Sequence, residues 1–100
     1  MPFFYVKTEG FINSQKLIKM NKIVILRVKK DISHIQELKI LKMKGVLITK
    51  GFTEIIHIKD ENEEFYLNSF SISPQDKMQV EDFIKEYIIA NGFADIISVL

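Results

Sequence analysis

The alternation of apolar and polar positions changes character at Ser73-Pro74-Gln75-Asp76. Before that point apolar residues recur at every second position or in short runs, as strands require. After it Val80, Phe83, Ile84, Tyr87 and Ile88 fall at i, i+3, i+4, i+7 and i+8, the stripe of an amphipathic helix broad enough to lie on a sheet. Ser73 is placed to cap the first free amides, Pro74 suits the first helical position, and Asp76 puts negative charge in the first turn. Asn91-Gly92 supplies a left-handed stop. Strands are expected over residues 3–7, 11–14, 16–20, 23–29, 46–49, 52–59 and 64–71, with turns at Gly10, Gly45, Gly51 and the acidic run 60–63.

Two strands show their faces. Val24, Leu26 and Val28 oppose Ile23, Ile25 and Arg27, and Tyr66, Asn68 and Phe70 oppose Phe65 and Leu67, which leaves Phe70 available to meet the helix. Residues 32–43 suit neither period, although Leu, Glu, Lys and Met there are good helix formers. With no cap beyond Asp31, and with β-branched Ile32, Ile35 and Ile40, strand is the expectation. A helix there implies instead an α+β sandwich or a five-strand barrel. After Gly92, Phe93, Ile96, Ile97 and Leu100 recur at i, i+3, i+4 and i+7, so residues 93–100 read as a helical stub appended to a domain of residues 1–92. Its apolar face is a candidate interaction surface, folding back or forming a homo-oligomer.

Composition narrows the classes. A chain of 100 residues that is 47% hydrophobic makes one domain with one core. Cysteine is absent, which excludes disulfides and thiolate chemistry. The longest apolar runs, 23–26 and 87–90, fall far short of the roughly 20 residues that span a bilayer, and Met1-Pro2-Phe3-Phe4 does not resemble a signal peptide. A soluble, cytoplasmic protein is the expectation. Residues 1–50 hold eleven Lys/Arg against three acids, a net of +8, whereas residues 51–100 hold three against ten, a net of −7. Lys16, Lys19, Lys22, Arg27, Lys29 and Lys30 form the candidate anion-binding rim, and ordinary solvated strand faces are the simpler account. Phe11 alone interleaves that run, which argues against a nucleic-acid stacking platform. His34 and His57 have no third ligand at diagnostic spacing, and no Gly-rich phosphate loop or nucleophile–base pattern occurs. No catalytic residue, metal or cofactor is expected.

A run of about seven strands closed by one helix is the order of the pleckstrin-homology superfold. Lys30-Asp31-Ile32-Ser33-His34-Ile35 resembles the D-I-x-x-I step of GRAM-type and bacterial PH-like domains. Ile55-Ile56-His57-Ile58-Lys59-Asp60 followed by Glu64-Phe65-Tyr66-Leu67-Asn68-Ser69-Phe70 resembles the GRAM pattern of hydrophobic strand, acidic turn and aromatic-x-F-x-S-F before the helix, with Leu67 at the inner aromatic position. The resemblance covers residues 10–88 and implies a mainly β fold, a PH-like barrel of about seven antiparallel strands capped by the C-terminal helix. In function it implies a non-catalytic binding module for a protein segment or membrane-associated partner. Lys7, Lys16 and Lys19 do not match the basic motif of phosphoinositide-binding PH domains, so headgroup recognition is not implied. Two alternatives stand beside it: weak electrostatic binding of anionic lipid or nucleic acid through the lysine-rich half, and a small self-assembling or inhibitory protein.

Overall fold

The computed structural model describes residues 21–100. The strands expected over 3–7, 11–14 and 16–20, with Gly10, Lys16 and Lys19, lie outside the described residues. Within them β1 (Lys22–Lys29), α1 (His34–Thr49), β2 (His57–Asp60), β3 (Phe65–Ile72), a 3-10 turn (Pro74–Asp76), α2 (Lys77–Asn91) and β4 (Ile97–Val99) follow in order. The four strands form an open sheet in the order β2-β3-β1-β4, every neighbouring pair antiparallel. This β-α-β-β-α-β connectivity is the split βαβ, or ferredoxin-like, arrangement.

The expected seven-strand barrel closed by a single helix is therefore corrected to a two-layer α+β sandwich. The decisive element is α1, which replaces the strands expected over 32–43 and 46–49 and the turn expected at Gly45. Its start is local: the Ser33 hydroxyl accepts from the Gln36 amide at 3.1 Å, and the Ser33 amide donates to Gln36 Oε1 at 2.9 Å. This reciprocal capping box satisfies two amides that would otherwise lack partners. Of the residues expected over 52–59, only 57–59 are strand, and β2 runs on to Asp60, expected in the turn. Residues 93–100 are not a helical stub either. Phe93 closes one turn by accepting from the Ile97 amide at 2.9 Å, and the chain then joins the sheet as β4 beside β1.

Both helices cover one face of the sheet. Val24, Leu26 and Val28 of β1 and Phe70 and Ile72 of β3 pack in one buried cluster with Ile40, Met43 and Leu47 of α1, Val80 and Ile84 of α2, and Phe93 and Ile97. Phe83, Tyr87 and Ile88 line the flank of that cluster half-buried, so the amphipathic stripe of α2 packs as its spacing predicts. Tyr87 also donates its hydroxyl to the Lys39 carbonyl at 2.7 Å and ties α2 to the middle of α1. At the start of α2 the Ser73 carbonyl, not its side chain, accepts from Asp76 through the 3-10 turn. At its end Gly92 takes φ +68°, a conformation that glycine adopts without steric penalty.

Candidate functional site

The covered face is not covered completely. Ile58 on β2 lies opposite Asn68 on β3, which in turn lies opposite Leu26 on β1, so all three share the face against which α1 packs. Tyr66 lies on that same face, opposite Val28. Leu26 is buried, yet Ile58 is 60% exposed and Tyr66 38% exposed, because α1 stops short of the β2 margin. Across from them α1 presents Leu38 and Leu41, both exposed. Between helix and strand runs a groove of about 380 Å³ whose floor includes Val28, Ile32, Ile40 and Asn68. It is mainly apolar, with a few polar groups, as ligand-binding clefts are.

Those polar groups differ in how they are satisfied. At one end Lys30 Nζ lies 3.2 Å from Asp60 Oδ1 and 4.8 Å from the centre of the Tyr66 ring, so this cation is already engaged. Lys44, one turn along α1 from Leu41, lines the groove half-buried. No described carboxylate pairs with it, and burial pulls its ammonium below the usual lysine range. Asn68 is 1% exposed, and its Oδ1 has no hydrogen-bond partner among the described residues. Such orphaned acceptors are uncommon in folded proteins and call for an explanation.

The outer wall of the groove is an edge strand. Among the described residues nothing pairs with the outer side of β2, and all four of its residues are exposed. The Glu61 amide bonds to the Phe65 carbonyl at 3.0 Å, which sets the phase of the β2–β3 ladder. By the alternation of an antiparallel pair, His57 and Lys59 direct their backbone groups toward β3, whereas Ile58 and Asp60 direct theirs outward. The side chains of His57 and Lys59 point to the uncovered face.

The sequence-derived site residues do not make one patch. Lys22, Arg27 and Lys29 spread along β1. Arg27 is held by Glu61 through two bonds of 2.8 Å, from Nε and Nη2. The hydrogen bonds and charge of this pair hold the Glu61 carboxyl below its usual range and raise the guanidinium. Arg27 and Lys30 are thus each matched by an acid on the β2–β3 hairpin. Of the C-terminal residues, Phe93 and Ile97 are each 2% exposed in the core, Ile96 is half-buried, and only Leu100 is on the surface. They do not form one outward face, because β4 directs Ile97 inward. His34 sits in the first turn of α1, 3.7 Å from Glu37, and His57 stands exposed on β2.

Residues not singled out as a site by sequence reasoning, Lys44, Ile58, Tyr66 and Asn68, are the ones brought together. The available signal was Asn68, a polar residue in the same phase as Phe70. A second, more polar cleft near Thr53 and Ser71 brings Glu54 and His57 to its lining, with no orphaned buried side-chain atom among the described residues there. Among the described residues no group of three or more His, Asp or Glu is disposed to hold a metal, and no helix is long and apolar enough to cross a membrane. Comparison with known proteins finds no matching family model, curated protein or solved structure.

Proposed function

We propose that this domain is a non-catalytic binding module that docks an extended polypeptide segment along the outer edge of β2. One observation carries the reading: an open apolar groove lies directly beside a strand whose outer edge no described residue pairs. Strand addition uses these two elements together, taking affinity from main-chain hydrogen bonds and selectivity from alternate side chains. The outward amides and carbonyls of Ile58 and Asp60 supply the bonds. Side chains of the added strand that fall on the covered face meet Ile58, Leu38 and Leu41. Those on the other face lie beside His57 and Lys59, where acids are favoured across the strand pair. The preferred segment therefore alternates apolar and acidic residues.

The test uses a fluorescent peptide, acetyl-Glu-Val-Glu-Ile-Glu-Val-Glu-amide, titrated by anisotropy. Saturable binding is expected, weakened but not abolished by salt, since only the acidic positions depend on screening. A peptide of the same composition with its acids grouped at one end is expected to bind about tenfold more weakly. Asp60→Pro removes an outward amide at an edge position where proline is tolerated, and is expected to weaken binding by a similar factor of about ten. Asp60→Asn keeps the amide and isolates the effect of losing the Lys30 pair. Equal binding of both peptides, or unchanged binding by the proline variant, contradicts strand addition.

The outer face of α1 favours a second reading. Ile35 is 65% exposed and Ile48 44%, and with Leu38 and Leu41 they stand among Lys39, Lys42 and Lys50. Apolar residues interspersed with lysines on an exposed helix suit an anionic bilayer surface. Sedimentation with phosphatidylserine vesicles, but not with phosphatidylcholine vesicles, is the expected result of this reading. No pelleting at low salt removes it.

A further inference from the structure

We infer that Lys44 anchors a carboxylate carried at a groove-facing position of the docked segment, so that the segment presents one acid among its inward apolar residues. This rests on the docking reading above and adds the chemistry it selects. The placement of Lys44 is the first reason. Its stem lines the apolar groove beyond Leu41, its ammonium has no described acidic partner, and Glu37, the acid on the groove-lining side of α1, lies two turns away. A cation withdrawn from water without a counter-charge is unfavourable, and a carboxylate brought beside it meets a lower dielectric than at an open surface. The second reason is independent. The floor of the same groove holds Asn68, whose buried acceptor has no partner among the described residues and is satisfied by a side-chain donor of the occupant reaching into the groove. A cation and a buried acceptor set in apolar surroundings match a segment whose side chains carry both a carboxylate and a hydrogen-bond donor. Lys30 does not offer the same anchor, being engaged with Asp60 and Tyr66.

The experiment places Glu or Gln at each of the three groove-facing positions in turn of the peptide used above. At one position Glu is expected to bind about tenfold more tightly than Gln, the gain of a charge-assisted bond over a neutral one. Lys44→Met is expected to erase that preference, so that the Glu and Gln peptides bind alike. It is also expected to raise the urea midpoint of the free protein, because it removes a half-buried ammonium that has no described acidic partner while keeping the apolar stem. A residue needed only for structure would lower that midpoint. Binding of the parent peptide without any Glu/Gln discrimination overturns this inference alone, as does a preference that survives in Lys44→Met. Failure of every peptide to bind overturns the docking reading and this inference together.

Discussion

Phe70→Ala is expected to lower the free energy of unfolding by about 3–5 kcal/mol, the range for truncating a buried aromatic residue. Phe70 is 2% exposed, lies opposite Val24 in the β1–β3 ladder, and belongs to the cluster that both helices complete. Alanine at this position leaves a cavity under two layers that cannot both collapse into it. Domains of this size have total stabilities of about 5–15 kcal/mol, so the loss takes away a large part of the whole. Urea denaturation followed by far-UV circular dichroism measures it, and an unchanged m-value would show that the effect is on stability rather than on denatured-state compactness. A loss under about 1 kcal/mol would mean that Phe70 is not enclosed between sheet and helices.

The second large effect is at Gly45, where two substitutions are expected to act with opposite signs. Gly45 lies in the interior of α1 on its exposed side, and a Cβ built there meets nothing within 4 Å. Gly45→Ala is therefore expected to stabilise the domain by about 0.5–1 kcal/mol, through lower backbone entropy in the unfolded chain. Gly45→Pro is expected to destabilise by about 3 kcal/mol or more, since it removes a mid-helix hydrogen bond and drives its ring into the preceding turn. Had residues 46–49 been a strand after a glycine turn at positive φ, alanine and proline would both strain that φ and both destabilise. Thermal and urea unfolding of the two variants thus decides between helix and turn by sign. Destabilisation by alanine would contradict the helical assignment of this stretch.

The two substitutions probe elements of unequal legibility. Phe70 was readable because β3 alternates cleanly, with Tyr66, Asn68 and Phe70 in one phase and Phe65 and Leu67 in the other. The boundaries of α2 were readable for the same kind of reason: Pro74 marks its approach and Gly92 its end. In α1 the hydrophobic pattern gave no phase. Ile40, Met43 and Leu47 face the core while Ile35, Leu38, Leu41 and Ile48 face outward, so apolar residues surround the helix and the 3.6-residue period cancels. The remaining cue is Ser33-x-x-Gln36, absent from a reading that finds no cap beyond Asp31 and rests on the β-branched isoleucines. Propensity differences are a few tenths of a kcal/mol per residue, however, and a completed capping box with a packed face exceeds them. The pattern of Phe93, Ile96, Ile97 and Leu100 misled for a related reason. One helical turn followed by three strand residues fits a short helical spacing, and only pairing with β1 distinguishes the two.

The candidate site follows the same division. Asn68 in a core phase and the acidic hairpin tip are properties of the linear chain. The meeting of Lys44, Ile58 and Tyr66 is not, because it depends on how far α1 reaches across the sheet. What the sequence alone determined are features set by neighbouring residues: the alternation of β1 and β3, the turn between β2 and β3, the stripe and stops of α2, and the absence of thiol chemistry. What the tertiary structure decided is everything fixed by distant partners, namely the helical state of α1 against the core, the recruitment of β4 beside β1, and the groove along β2. Local hydrogen bonds and period-matched burial act within a few residues. The width of a sheet relative to the helix that covers it is a balance of packing over the whole domain, and no short stretch of sequence encodes it.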